Sequence, residues 1–235
     1  MIPPTYKPKK KFMELAIAEA KRAGDRGDYP IGAVITRLVG KREVVIASAG
    51  NRVKTSGSSI KHVELETLKY VSSGYGRYLP EFVLYSTHEP CAMCAGAGVW
   101  SRIGAVVYGV SQEDIDAYGR KHGTEYYKWR ACLISCELIF EKGNHRIPVL
   151  GGFLRRWDTV VDAQDHQRRE YGRAPEHPMP GPVITKPAVQ RRRQVDRAVH
   201  KAGIKSQGEG QISGRNIAES ESERQRIESA GRQAG

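Results

Sequence analysis

The sequence predicts an α/β protein, a three-layer α/β/α sandwich built around a mixed five-stranded sheet. Five short apolar runs have the length of strands, and each is bounded by turn residues or by a stretch with helical periodicity. The first two runs follow one another across Gly40-Lys41, which favours a hairpin. The other three alternate with helical stretches, an order typical of layered α/β domains.

The N-terminal part contains one predicted helix and the hairpin. Apolar residues from Phe12 onwards recur at spacings of three and four, which predicts a helix over residues 11–27 that glycines end. Residues 30–35 and 43–47 are the two apolar runs of the hairpin. Residues 50–59 are polar and predict a loop.

The middle of the chain alternates between helices and strands. Residues 60–72 carry apolar side chains at helical spacing and predict a helix. Residues 82–86 and 105–110 are mostly apolar and predict strands. Residues 91–100, between them, are rich in alanine and glycine, which indicates a closely packed helix.

Three more elements are predicted towards the end of this domain. Apolar positions at three and four favour a helix over residues 124–142. Residues 145–153 predict the last strand, and residues 154–172 predict a last helix with Trp157 facing the body of the domain.

Composition divides the chain at about residue 170. Five prolines stand between residues 175 and 187, and the last thirty residues are mostly Gln, Ser, Gly, Glu and Arg. Such a segment buries too little apolar surface to offset chain entropy. We therefore predict a folded domain over residues 1–170 and a Pro-rich linker with a basic, disordered tail over residues 171–235. The basic run 186–205 suits RNA phosphate and a solvated tail equally well.

Charge and hydropathy limit the possible surroundings. The formal net charge is +12, and a strongly basic protein is attracted to polyanions such as nucleic acid. No run approaches the roughly 18 apolar residues of a membrane helix. Residues 1–11 are polar and do not resemble a secretory signal, so a cytoplasmic protein is expected.

Two short motifs carry the chemistry. His62 and Glu64 form an H-x-E, and Pro90 precedes a C-x-x-C made by Cys91 and Cys94. One histidine and two cysteines give three metal ligands, and a catalytic zinc site has three ligands with the fourth position left for water. A structural zinc site and a redox dithiol are the alternatives. The redox interpretation leaves His62, Glu64 and Pro90 unexplained.

The predicted helices suggest how these residues cooperate. His62 and Glu64 lie in the first turn of the helix predicted over residues 60–72. Cys91 and Cys94 lie at the start of the next helix, whose positive end lowers the pKa of both thiols. Zinc activates water for attack on a ring carbon. Glu64 is the acid placed to move the protons, and we do not expect it to be a ligand.

The H-x-E and P-C-x-x-C motifs resemble the zinc-dependent cytidine/deoxycytidylate deaminase superfamily. The chain looks most like the bacterial tRNA-specific adenosine deaminases, with guanine deaminases second. The resemblance covers roughly residues 12–169. Segments that match beyond the two motifs are residues 20–23, 30–34, 50–52, 89–97, 101–104, 106–109 and 144–147.

This resemblance implies a cytidine deaminase-like fold, a Zn²⁺ cofactor, a homodimer and hydrolytic removal of an amino group from a nucleobase. It implies that adenosine in tRNA is converted to inosine. At matching positions, Asn51 corresponds to the residue that hydrogen-bonds the base. The backbone around Pro90 corresponds to the part that meets the developing oxygen.

Departures from the tRNA enzymes leave other substrates open. Val63 replaces the usual alanine, and the segment 111–142 is longer and different. Trp100 fits the guanine deaminases better, so a free guanine or cytosine base is the alternative substrate. An inactive nucleic-acid-binding relative is the alternative of another class, and the intact Glu64 argues against it.

Several residues near the motifs have simpler interpretations. Asn51 follows a glycine and could hold a turn. We expect His88 to be structural or exposed, and Trp100 to pack in the core or at a dimer interface. Cys132 and Cys136 stand four apart among apolar residues, which suits buried packing better than a second pair of metal ligands.

Overall fold

The computed structural model describes residues 2–122 and 132–155 of the 235-residue chain. The strands are β1 Gly32–Val39, β2 Arg42–Gly50, β3 Phe82–His88, β4 Ala105–Val110 and β5 Val149–Leu150. The helices are α1 Lys10–Asp25, α2 Val53–Ser56, α3 Val63–Tyr75, α4 Ala92–Ser101, α5 Gln112–His122 and α6 Cys136–Lys142. In this part of the chain, no helix is both long and apolar enough to cross a membrane.

The five strands form one mixed sheet in the order β2-β1-β3-β4-β5. The hairpin partner β2 and the central strand β3 both run antiparallel to β1. The pairs β3–β4 and β4–β5 are parallel. The connection from β3 to β4 is made by α4, as a parallel pair requires. The predicted mixed five-stranded sheet is therefore confirmed.

Both faces of the sheet are covered by helices. On one face, Phe12, Met13 and Ala16 of α1 pack with apolar side chains of β1, β3 and β4. On the other face, α3, α4 and α6 contribute to a second apolar cluster with the same strands. Successive strand residues point to opposite faces, so Val83 and Tyr85 join the first cluster while Phe82 and Leu84 join the second. The predicted three layers are present.

The N-terminal segment is bound to the sheet by a buried polar cluster. The Tyr6 hydroxyl donates to Glu43 Oε1 at 2.9 Å and also contacts the Tyr85 hydroxyl. Thr36 donates to the same carboxylate oxygen at 2.6 Å, and Lys9 Nζ lies 3.3 Å from the other. Burial raises the pKa of Tyr85 to about 12, so its hydroxyl stays protonated. Sequence reasoning did not foresee this cluster.

The prediction was wrong for residues 132–135, which fall within the predicted helix 124–142 but have no regular structure. α6 begins only at Cys136, because Ser135 is the N-cap and its side chain accepts from the Leu138 N–H at 3.3 Å. Residues 123–131 lie outside the described residues. The polar loop predicted over residues 50–59 contains the short helix α2.

The last predicted elements also differ. The strand predicted over residues 145–153 is reduced to β5, because Pro148 has no N–H to donate to the ladder and Gly152 turns the chain with φ 73°. Leu154 and Arg155, the first residues of the helix predicted over 154–172, are not helical. The rest of that helix and the segment 171–235 lie outside the described residues.

Helix α1 approaches the sheet closely at a pair of glycines. Gly32 and Gly50 are register partners in the β1–β2 hairpin. A Cβ added at Gly32 would lie 2.0 Å from the Ala16 carbonyl oxygen, and one added at Gly50 would lie 2.6 Å from the Glu19 carbonyl oxygen. These obstacles are backbone atoms, which cannot turn aside as a flexible side chain can.

We therefore expect Gly32→Ala to lower the free energy of unfolding by about 2–3 kcal/mol, since α1 must move away from the sheet. Gly74→Ala in α3 is the matched control. A Cβ there meets nothing within 4 Å, so this change should raise stability by about 0.5–1 kcal/mol. Denaturant-induced unfolding of both variants measures whether each change lowers or raises the free energy of unfolding. Equal stabilities for Gly32→Ala and the parent protein would contradict the close approach.

Candidate metal centre and active site

The three predicted metal-binding side chains meet where two helices begin. His62 is the N-cap of α3 and has an extended backbone, so it precedes the first helical turn instead of lying in it as predicted. Cys91 is the N-cap of α4, and Cys94 lies one turn into that helix. Both helices pack on the same face of the sheet. Their N-termini therefore bring the side chains of His62, Cys91 and Cys94 together. These three candidate metal ligands are named the metal cluster.

The distances between the donor atoms suit a tetrahedral zinc ion. His62 Nδ1 lies 3.5 Å from Cys91 Sγ and 3.7 Å from Cys94 Sγ, and the two sulfurs are 3.7 Å apart. With Zn–S of about 2.3 Å and Zn–N of about 2.0–2.1 Å, tetrahedral angles separate two sulfurs by about 3.8 Å and a sulfur from a nitrogen by about 3.6 Å. The three side chains could thus hold zinc with little rearrangement.

The electrostatics of the cluster favour a charged thiolate beside a histidine. Hydrogen bonds, above all the one with Cys94, lower the pKa of Cys91 to about 4. The pKa of Cys94 is instead raised, first by its bond to Cys91 and then by burial, so the predicted lowering of both thiol pKa values holds for Cys91 and was wrong for Cys94. The bond to Cys91 also raises the pKa of His62, and a backbone hydrogen bond with Ser59 adds to it. A second bond of this kind is what usually orients a histidine that binds a metal.

Glu64 lies beside the cluster and is buried, with 4% of its surface exposed. Ser86 Oγ of β3 donates to Glu64 Oε1 at 2.9 Å, and Cys94 Sγ lies 3.8 Å from Oε2. Burial raises the pKa of Glu64 above its ordinary value. A carboxyl group that is easily protonated and faces a metal cluster is suited to proton transfer.

Among the described residues, one other set of side chains has its possible ligand atoms within 4.8 Å of one another: Glu89, Cys136 and Glu137. The Glu89 oxygens already accept the backbone N–H groups of Cys136 at 2.8 Å and Gln112 at 2.9 Å. Glu137 accepts from the Tyr108 hydroxyl at 2.8 Å. Burial raises the pKa of the Cys136 thiol, and a protonated thiol is a poor ligand. These contacts indicate a structural cluster.

Comparisons with known proteins agree with this geometry. The model of the cytidine and deoxycytidylate deaminase zinc-binding region matches residues 6–110, which include both motifs. A tRNA-specific adenosine deaminase of Agrobacterium fabrum is 37% identical over 122 residues, which cover 52% of this chain and 76% of that protein. A probable cytosine deaminase of Schizosaccharomyces pombe is 32% identical over 143 residues, which cover 61% of this chain and 83% of that protein.

The chain belongs to the cytidine and deoxycytidylate deaminase family. It is a hydrolytic deaminase, as the two motifs predicted. The solved structure of the guanine deaminase from Nitrosomonas europaea supports the fold alone. It matches with a TM-score of 0.52 at 19% identity, over 71% of this chain and 88% of that chain.

Asn51 lies at the same edge of the deaminase sheet as the metal cluster. Gly50 pairs with Gly32, and the next residue of β1 pairs with Ser86, so Asn51 lies about two strand spacings, roughly 10 Å, from the end of β3. Asn51 is buried, and its Oδ1 accepts from the Val53 N–H at 2.9 Å. The side chain therefore holds the turn, as its simpler interpretation suggested.

Pro90 is buried between β3 and α4, and its carbonyl accepts from Gln112 Nε2 at 3.4 Å. This places the Pro90–Cys91 backbone directly beside the metal cluster, where Cys91 begins α4. The side chain of Gln112 also donates to the Ile134 carbonyl at 3.3 Å. The turn that carries the first cysteine is thus bound to the segment that follows β4.

Other candidate residues divide between core and surface. His88 is buried, and burial lowers its pKa to about 4, so it is a structural residue. Cys136 is buried as expected, whereas Cys132 is exposed. Trp100 was expected in the core or at an interface. It is 85% exposed, which excludes the core of this chain.

Sequence reasoning missed three buried polar residues that organise this deaminase site: Ser86, Glu89 and Asp28. The Asp28 carboxylate accepts two backbone N–H groups of α2, each at 3.0 Å, and the Thr55 hydroxyl at 2.8 Å. Ser86 directly follows the buried apolar residues that begin β3, and a small hydroxyl there was a readable signal. For Asp28 the sequence carried no comparable signal, because acidic residues are common in loops.

Proposed function

We propose that this deaminase acts on adenosine in tRNA and converts it to inosine. The observation that carries the proposal is the 37% identity to a tRNA-specific adenosine deaminase across three quarters of that protein. The net charge of +12 supports a polyanionic substrate. In the balanced reaction, water supplies the oxygen, the bond between the ring carbon and the exocyclic amino nitrogen breaks, and ammonia leaves. With tRNA as its substrate, the enzyme would work in the cytoplasm.

His62, Cys91 and Cys94 are the proposed zinc ligands. Zinc supplies Lewis-acid activation of water. Glu64 would take one proton from the attacking water through Oε2 and pass it to the ring nitrogen, and would then carry the second proton of that water to the departing amine. Burial of Glu64 favours its protonated form, which makes the transfer back to the substrate easier.

Asn51 and the backbone at Pro90 are the proposed substrate contacts. The Asn51 side chain holds its turn through Oδ1, so its Nδ2 amino group is the part available to a base. The Pro90–Cys91 turn lies next to the ligand cluster, where oxygen develops on the ring carbon. These two roles rest on the position of both residues at the metal-bearing edge of the sheet.

The proposed roles of Glu64 and Cys91 can be separated by experiment. We expect the parent and Glu64→Gln each to bind one zinc per chain, and Glu64→Gln to lose at least about a thousandfold in kcat, since Glu64 is the proposed proton-transfer group. Cys91→Ala should lose zinc, because two ligands remain. Metal analysis of purified protein and single-turnover deamination measure both effects. Full zinc retention in Cys91→Ala would contradict the ligand assignment.

Substrate choice is tested by a deamination screen of zinc-loaded protein. We expect inosine to form in bulk tRNA, with no ammonia released from free adenine, guanine or cytosine. Glu64→Gln run in parallel controls for a contaminating enzyme. The similarity to a probable cytosine deaminase favours free cytosine as the second candidate. Turnover of a free base with tRNA untouched would make it the substrate, and turnover of neither would favour an inactive nucleic-acid-binding relative.

A homodimer is the proposed assembly, and α4 is its proposed contact surface. Trp100 is 85% exposed and Met93 is 36% exposed, and their spacing of seven places them on one face of α4. Large aromatic side chains are enriched at protein interfaces.

We expect Trp100→Ala to raise the dissociation constant of the dimer at least about tenfold, because a central tryptophan often dominates interface energy. Trp100→Phe keeps an aromatic ring and should keep most of the dimer. Sedimentation equilibrium measures both variants. A parent protein that is monomeric, or a dimer indifferent to Trp100→Ala, would contradict this surface.

A further inference from the structure

Ser86 occupies an unusual position for a hydroxyl. It lies in the central strand β3, paired with Ala33 of β1 and Tyr108 of β4, and none of its surface is exposed. Its side chain shares a sheet face with Phe82 and Leu84, which belong to the apolar core. A hydroxyl in such surroundings is costly unless it forms a hydrogen bond.

The partner of this hydroxyl is the carboxyl group of Glu64. Ser86 Oγ donates to Oε1 at 2.9 Å, while Oε2 faces Cys94 Sγ at 3.8 Å. Of the described residues, these two form the side-chain hydrogen bonds to this carboxyl group. The two oxygens therefore have different neighbours, one on the sheet and the other in the metal cluster.

We propose that Ser86 is a positioning residue for catalysis, which binds Glu64 Oε1 to the sheet and so leaves Oε2 as the oxygen that exchanges protons with water and substrate. The backbone of Ser86 is held on both sides by neighbouring strands, so its hydroxyl is a fixed anchor. Without it, the carboxyl group of Glu64 is free to rotate about its terminal torsion.

The anchor serves both protonation states of Glu64. As a carboxylate, Glu64 accepts the Ser86 hydrogen at Oε1. When it has taken up a proton, Oε1 remains an acceptor as the carbonyl oxygen, and the proton resides on Oε2, beside the metal cluster. The same hydrogen bond thus persists while the proton arrives and leaves.

This inference rests on the deaminase activity, and its kinetic test uses whichever substrate the screen identifies. We expect Ser86→Ala to lower kcat about ten- to a hundredfold with KM unchanged, the effect of losing a hydrogen bond to a charged group that works in the transition state. Zinc content should stay at the parent value. Ser86→Thr keeps the hydroxyl and should restore most of kcat.

Ser101→Ala is the matched control. Ser101 is also a buried serine, but it ends α4 and its hydroxyl donates to the Gly98 carbonyl at 3.2 Å, away from the metal cluster. Its removal should leave kcat unchanged. In a Glu64→Gln background, Ser86→Ala should cause little further loss, because a residue that acts through Glu64 has nothing left to position.

A spectroscopic measurement tests the bond without turnover. The infrared difference between metal-free parent and Glu64→Gln, taken at alkaline pH, isolates the carboxylate band of Glu64. We expect this band to shift when the same difference is measured in Ser86→Ala, and to stay in place in Ser101→Ala.

The outcomes are distinct. Loss of kcat in Ser86→Ala, recovery in Ser86→Thr and a shifted band support the positioning role. An unchanged kcat, an equal loss in Ser101→Ala, loss of zinc from Ser86→Ala or an unshifted band would overturn it. If the parent turns over no substrate, the proposed function fails, and the infrared band alone then decides whether Ser86 anchors Glu64.

Discussion

Three candidate metal-binding atoms from the starts of two separate helices have to meet, 3.5 to 3.7 Å apart, and the carboxyl end of β3 is where the fold brings them together. Cys91 directly follows Pro90, has an extended backbone and is the N-cap of α4. α3 packs on the same sheet face and begins beside it, with His62 as its own N-cap. The N-termini of α3 and α4 then both lie at the metal cluster. Their positive ends favour the thiolate charge that a metal requires.

Buried carboxylates connect the irregular segments around this point. Glu89 accepts backbone N–H groups from the first residues of α5 and α6, and its own N–H donates to the Val110 carbonyl at 2.8 Å. Asp28 does the same for α2, next to Asn51. A buried carboxylate is tolerated when its oxygens accept hydrogen bonds, and backbone N–H groups at helix starts are available for this. These two residues hold loops that apolar packing alone would leave loose.

Local patterns predicted most of the fold and the proposed metal ligands, and failed at one helix cap and where distant residues decide. The ligands were readable because a metal demands particular residue types, and strands 82–86 and 105–110 because buried parallel strands are apolar throughout. The helix predicted over 124–142 was wrong at residues 132–135, because Ser135 caps a helix that begins only at Cys136. Ser86 was read as part of a strand. Its role depends on Glu64, twenty-two positions earlier in the chain, and a pattern within one strand cannot reveal that neighbour.

The segment after β4 has described ends that are fixed to the turn preceding Cys91. The Gln112 N–H and the Cys136 N–H bind the two oxygens of one carboxylate, that of Glu89, and the Gln112 side chain bridges the Pro90 and Ile134 carbonyls. The segment is therefore anchored at both ends on residues that directly precede Cys91. Because four hydrogen bonds fix these ends, the length and composition between them can change without moving the ligand.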